Sequence, residues 1–131
     1  MRITKPRERW FPVPGDPDEA QVKIKHLLPG EIQEIVDAAM VQEVEYRQHG
    51  EEMRPILRQI NDQRKDREKT MLAAVRGWKN FYDEKDKPLQ FSEPNVLRAM
   101  REIDGFIDFV GECREKIAND VEAEREAQEK N

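Results

Sequence analysis

The sequence predicts a mostly α-helical protein, a small domain of about four helices with a short N-terminal β-hairpin or extended segment. Charged residues make up 39% of the chain and hydrophobic residues 37%, which suits helices that need only one apolar stripe. Apolar residues recur every three or four positions from Ile32 onward. Prolines are concentrated near the start, where apolar and polar residues alternate.

Length and composition predict one domain, since 131 residues lie within the usual size of a single domain. We expect residues 1–9 to form a flexible N-terminus and residues 10–121 to form a single helical domain that begins with the hairpin, residues 10–27. Beyond Glu122 the chain is almost all charge and alanine, so residues 122–131 are predicted to be a frayed tail.

The hairpin is predicted from a turn and an alternation. Residues 14–18 read Pro-Gly-Asp-Pro-Asp, which is typical of a turn. After it, Ala20, Val22 and Ile24 alternate with polar residues, as in a strand with one buried face. The segment 10–13 would pair with this strand across the turn.

The first helix is predicted to begin at residues 28–31, because Pro29 suits a first helical turn and Glu31 favours the positive helix N-terminus. We expect it to end at His49-Gly50, with Gly50 as a left-handed cap. The positions at helical spacing are Ile32, Ile35, Val36, Ala39, Met40 and Val44.

A second helix is predicted from about Glu51–Pro55 to Trp78. Residues 61–69 contain no apolar side chain, so this stretch is either continuous solvated helix, which we favour, or a mobile linker between two shorter helices. The apolar positions on either side are Met53, Ile56, Leu57, Ile60, Met71, Leu72, Val75 and Trp78.

The last third of the chain predicts an irregular segment and two helices. Residues 77–89 are irregular, and Ser92 is expected to cap the next helix. Asp104-Gly105 separates this helix from the final one. The apolar side of the final helix carries Phe106, Ile107, Phe109, Val110, Cys113, Ile117 and Val121.

No set of residues predicts catalysis, a cofactor or a metal. Cys113 lies on an apolar helix side, as a buried thiol does. His26 and His49 lack a His, Cys or Asp at metal-pair spacing. The acidic residues 83–86 lack the central glycine and terminal glutamate of a calcium loop. We therefore expect a protein that is not an enzyme.

Charge and cysteine usage indicate a cytoplasmic protein. The net charge is −5, and the one cysteine excludes an internal disulfide. We expect no membrane association, because no apolar run of 18 residues occurs. We expect no nucleic-acid partner, because basic residues are interleaved with acids. The alternative of a nucleic-acid binder would use Arg54, Arg58, Arg64, Lys65 and Arg67.

The aromatic residues are the best candidates for a partner-binding site, because aromatics dominate interface hot spots. The alternative, which we favour for the clusters at residues 10–11 and 78–82, is that they build a small core where the hairpin meets a helix end. The candidates are Trp10, Phe11, Trp78, Phe81, Tyr82, Phe91, Phe106 and Phe109.

Several short segments occur in a recognisable order along the chain: residues 11–14, 28–32, 75–83, 87–92, 95–97 and 106–107. Their order, which spans about residues 10 to 115, resembles the small tail proteins of long-tailed bacteriophages and prophages, in particular the tail assembly chaperones. Many of these have a tryptophan at a helix end, an acidic turn, a Pro-Leu-x-Phe-Ser/Thr segment and a closing helix. Asp86 stands where the usual turn has glycine.

The resemblance implies a chaperone that binds the long helical tape measure protein, protects its apolar stripes and recruits tail tube subunits, without a cofactor. It would act in the host cytoplasm if phage-encoded. The alternative is a different helical adaptor or regulator that acts as a homo-oligomer, dimeric through the last helix.

Overall fold

The chain forms both sheets and helices. The structure is a computed structural model that describes residues 1–3 and 5–129. Its residues are 44% helical and 29% strand, so the predicted mostly α-helical class, an all-α protein, is wrong. In chain order the elements are β1 Glu8–Pro12, β2 Gln21–Lys25, α1 Pro29–Ala38, β3 Met40–His49, β4 Glu52–Asn61, α2 Gln63–Ala74, β5 Val75–Lys79, α3 Glu93–Glu102 and α4 Phe106–Glu129.

The predicted helices are wrong in two places, residues 40–61 and residues 75–78. The first predicted helix stops at Ala38, and the segment assigned to its second half is strand β3. The first part of the second predicted helix is strand β4, and its last part, from Val75, is strand β5. Gly50 has a φ of +70°, but it lies in the turn between β3 and β4 rather than at a helix end. The stretch without apolar residues belongs to α2 from Gln63 onward.

The described residues fall into two compact units. The first, Met1–Leu27 with Met71–Asn131, is called the sheet–helix unit here. The second, Leu28–Thr70, is called the hairpin unit. Helix α2 has residues in both.

The sheet–helix unit is built on an antiparallel sheet in the order β1-β2-β5. The predicted pairing across the first turn is present, with Phe11 opposite Val22. Val22 and Ile24 of the central strand are fully buried, as the alternation predicts. Helix α4 contacts β2 and packs beside α3, which closes the core over one face of the sheet.

The helices of this unit begin where the sequence indicates. The Asn95 amide donates to the Ser92 side-chain oxygen at 3.2 Å, so Ser92 is the N-cap of α3. Helix α4 starts directly after Gly105, whose φ is +80°. The buried residues of α4 recur at three- and four-residue spacing; they are Phe106, Val110, Cys113 and Ile117.

The two ends of the chain meet within this unit. Arg9 of β1 donates to Asp120 at 2.9 Å, and Arg7, just before β1, pairs with Glu124, so two ion pairs join this segment to α4. Hydrogen bonding from Arg7 holds the pKa of Glu124 below its ordinary value. In the predicted N-terminal segment 1–9, Thr4 lies outside the described residues. In the predicted tail, residues 122–129 are helical, and residues 130 and 131 lie outside the description.

The hairpin unit has little interior. Between Leu28 and Thr70, all of which the structure describes, the only buried residue is Ala39. Strands β3 and β4 pair antiparallel over ten residue pairs, from Met40 opposite Asn61 to His49 opposite Glu52. The ribbon is therefore long and two-stranded, an arrangement that is marginal in water without further packing.

Candidate functional site

Half of the eight aromatic candidates lie in the core of the sheet–helix unit. Trp78 stacks on Phe81 with ring centroids 4.4 Å apart, and the Phe106 ring meets both edge-on. Trp78 Nε1 donates to the Leu89 carbonyl at 2.7 Å. The buried candidates are Phe11, Trp78, Phe81 and Phe106.

The other four candidates are partly accessible but do not form one surface. Trp10 lies on the opposite face of the sheet from Phe11, with Lys79 Nζ 4.4 Å from its ring centroid. Phe91 lies beside Trp78, whereas Tyr82 and Phe109 border a shallow cleft. The structure therefore distributes these four side chains over three places in the unit, with Tyr82 and Phe109 at the same cleft.

The cleft beside Tyr82 and Phe109 has a volume of about 180 Å³. Asp16 lines it, and its Oδ2 accepts from the amides of Asp18 and Ala20, which shapes the first turn. The carboxylate is thus occupied by its own backbone. The lining is mostly apolar, although Asp18, Asn80 and Asp104 also contribute to it.

The acidic turn that follows Tyr82 is also held by its own backbone. Asp83 Oδ1 accepts from the amides of Lys85 and Lys87, at 2.8 and 3.0 Å, and these bonds lower the pKa of Asp83. Asp86 adopts a φ of +59°, a left-handed conformation that aspartate tolerates better than most residues. Asp86 thus occupies the left-handed position where a glycine would be expected.

The cysteine and the two histidines lie on different elements. Cys113 is buried on α4, His49 is exposed at the end of β3, and His26 follows β2. Among the described residues, no group of three or more His, Cys, Asp or Glu side chains could hold a metal ion. The described part of the chain also has no helix with the length and hydropathy needed to cross a bilayer.

We predict that Cys113 reacts slowly with thiol reagents in the folded protein. Burial raises the pKa of its thiol from 9.0 to about 11, so the thiolate is scarce at neutral pH. The thiol ionises at lower pH in the unfolded chain than in the folded protein. It therefore leaves the free energy of unfolding unchanged below pH 9 and lowers it as the pH rises from 9 to about 11. Thiol titration with Ellman's reagent, with and without denaturant, measures this. Equal rates would contradict it.

The hairpin has one face without charge. Because strand side chains alternate, the residues that share this face can be taken from the register. Leu57 and Tyr46 are 67% and 64% exposed, and Val44, Met53 and Met40 are exposed as well. We call this set the uncharged face: Met40, Gln42, Val44, Tyr46 and Gln48 of β3 with Met53, Pro55, Leu57, Gln59 and Asn61 of β4.

The opposite side of the same ribbon, called the charged face, carries every Asp, Glu, Lys, Arg and His residue of the two strands. Arg58 donates to Glu45 at 3.2 Å, and Arg47 and Arg54 lie near glutamates. Its members are Val41, Glu43, Glu45, Arg47, His49, Glu52, Arg54, Ile56, Arg58 and Ile60. The ribbon is thus amphipathic across its thickness.

Sequence reasoning missed the uncharged face, since none of its residues was among the candidates. A usable signal is present: Glu43, Glu45, Arg47 and His49 recur at every second position, as do Glu52 and Arg54. Residues two apart point to opposite sides of a helix but to one side of a strand. Alternation of charge, rather than of hydrophobicity, marks these strands.

Three of the basic residues of the nucleic-acid alternative lie beside glutamates. Arg54 and Arg58 lie on the charged face beside glutamates. Arg64 pairs with Glu68 one helical turn away on α2, at 3.3 Å.

Comparison of the chain with protein-family models, with curated proteins and with solved structures gave no match.

Proposed function

We propose that this protein is a non-enzymatic protein-binding protein whose uncharged hairpin face docks an amphipathic helix of a partner. The observation that carries the proposal is the contiguous exposed set of Val44, Tyr46, Met53 and Leu57 without a charge among them. An exposed apolar patch of a few hundred Å² on a small, highly charged protein is typical of an interaction site.

The dimensions of the ribbon fit one helix. Ten residue pairs at about 3.4 Å each make a strip about 34 Å long, and two strands with their side chains are about 10 Å wide. An α-helix is about 10 Å in diameter and covers 34 Å with about 22 residues. One helix of about six turns therefore covers the face.

The chemistry of the face also describes the partner. With no charged side chain on it, the face offers van der Waals contact and amide hydrogen bonds rather than ion pairs. A matching helix presents an apolar stripe with few charges, while the charged face of the hairpin stays in solvent. Such a stripe aggregates when uncovered, which supports a protective role.

The resemblance to tail assembly chaperones supplies a specific candidate, the long helical tape measure protein. Most segments that carry the resemblance lie in the sheet–helix unit, from Val75 onward, whereas the uncharged face lies in the hairpin unit. The resemblance and the uncharged face therefore support the proposal mostly through different parts of the chain. A homo-oligomeric adaptor remains the alternative.

Co-expression with a candidate tape measure tests the proposal. We expect the tape measure to become soluble and to copurify with this protein at a fixed stoichiometry. Equal precipitation of the tape measure with and without this protein would reject the tape measure as partner. An isolated amphipathic helix of about 22 residues from the same candidate, titrated in a binding assay, tests the docking geometry directly.

A further inference from the structure

The outer edge of β3 is open. His49 lies opposite Glu52 across a two-residue turn, and such a turn closes on a hydrogen-bonded pair. The backbone groups of every second residue of β3, from Gln48 back to Met40, therefore point away from β4. Within the described part of the chain, β3 and β4 form a sheet of two strands, so this edge has no strand beside it.

The outer edge of β4 differs in one residue. Pro55 lies opposite Tyr46, a pair whose backbone groups point outward. Proline has no N–H, so the row of outward donors on β4 is interrupted at its middle, a known way to block strand addition. The hairpin thus has one blocked edge and one open edge.

The charges along β3 are ordered. On the charged face, Glu43 and Glu45 come first, Arg47 follows at the same two-residue spacing, and the imidazole of His49 comes last. An antiparallel neighbour with the same sequence would present this order in reverse. The strand is therefore complementary to itself.

We propose that the open edge of β3 pairs antiparallel with the same edge of a second copy of this chain, giving a four-stranded sheet. With Tyr46 opposite its counterpart, Glu45 of each copy faces Arg47 of the other, and Glu43 faces His49. Moving one strand by two residues in one direction sets Glu45 against Glu45, and in the other Arg47 against Arg47. Each shifted register keeps a Glu–Arg or Glu–His pair but adds a like-charged pair that the register centred on Tyr46 lacks, so charge favours the register centred on Tyr46.

This dimer goes beyond helix docking and does not depend on it, since it uses the strand edge rather than the uncharged face. It places the two uncharged faces side by side on one surface. A single strand edge is small compared with the roughly 1,200–2,000 Å² of stable interfaces, so the dimer is reversible.

Sedimentation velocity of the full chain over a concentration series tests the proposal. We expect the mass to rise from the 15.5 kDa monomer toward twice that value. Gln48→Pro removes one outward N–H from β3 and is expected to weaken dimerisation about tenfold or more, because each dimer loses two hydrogen bonds. Gln59→Pro is the matched control, as it makes the same exchange at an outward position of β4.

Each result decides the question. A chain that stays monomeric throughout overturns the proposal, as does a Gln48→Pro variant that dimerises like the wild type. Equal loss in Gln59→Pro also overturns it, because β4 has no role in the proposed contact. Pro55 already occupies an outward position in this hairpin, and circular dichroism would verify that both variants keep their strands.

A charge exchange provides a second, independent test. Glu45→Arg and Arg47→Glu each set like charges against each other in a homodimer and are expected to weaken self-association. An equimolar mixture of the two variants places opposite charges at both facing pairs and is expected to associate more tightly than either alone. A mixture that is no tighter contradicts the register. Binding to the tape measure is measured in a different experiment, the co-expression described above. The helix-docking proposal and the dimer proposal can therefore fail independently.

Discussion

Phe106→Ala is expected to lower the free energy of unfolding of the sheet–helix unit by about 3–5 kcal/mol. The Phe106 side chain is 4% exposed, and its ring lies 6.3 Å from that of Trp78 and 6.0 Å from that of Phe81. Its removal leaves a cavity beneath the aromatic stack, which the rigid indole cannot fill. Urea denaturation followed by tryptophan fluorescence measures the change.

Phe91→Ala is the matched control for this substitution. Phe91 also contacts Trp78, with ring centroids 5.4 Å apart, but it is 41% exposed. Since water already reaches part of this side chain, its loss should cost clearly less than that of Phe106. An equal or greater loss for Phe91 would show that the stack is not held from the α4 side.

Leu57→Asp is expected to abolish helix docking while the free protein stays folded. Leu57 is exposed on the uncharged face, so the substitution removes little buried area from the monomer. In a complex it would bury a carboxylate against an apolar stripe, at a cost of at least about 2 kcal/mol, or roughly thirtyfold in affinity. Isothermal titration calorimetry with the partner helix measures the loss.

Arg54→Asp serves as the control for the docking experiment. It places a carboxylate on the same strand with a larger change in net charge, but on the charged face. We expect it to bind the partner helix as the wild type does. If Arg54→Asp abolishes binding and Leu57→Asp does not, the docking surface is the other side of the ribbon.

The sequence was a good guide where local chemistry and tertiary packing agree. The turn at residues 14–18, the alternation from Ala20 to Ile24 and the cap at Ser92 each rest on neighbours in the chain, and each is present in the fold. The spacing of Val110, Cys113 and Ile117 likewise specifies one face of α4. These features depend on few distant contacts.

The hairpin was predicted to be helical because some of its apolar residues happen to recur at helical spacing. Val41 and Val44 are three apart, and Ile56, Leu57 and Ile60 recur at helical spacing, yet they lie on both faces of the ribbon. Glutamate, glutamine and arginine favour helices, so residue propensity, like the spacing, predicted a helix here. Strand pairing is a contact between segments, and neither segment encodes it alone.

The candidate site was likewise predictable from the sequence only in part. Aromatic residues near loops were reasonable candidates by type, but type does not tell whether a side chain faces the core. Trp10 and Phe11 are adjacent in the chain, and one is partly exposed whereas the other is buried, because alternation along β1 separates them. Burial follows from the face that each strand turns to the helices.

By itself, the sequence determined the acidic balance, the turn at residues 14–18, the cap at Ser92 and the apolar stripe of the last helix, because these depend on residue type and short spacing. Tertiary structure decided that residues 40–61 form a ribbon, that Phe81 and Phe106 are core, and that Leu57 and Tyr46 are exposed. The physical reason is that a strand is stabilised mainly by its hydrogen bonds and side-chain contacts with a neighbouring strand. Only after β3 and β4 are paired does one side of the ribbon emerge without charge.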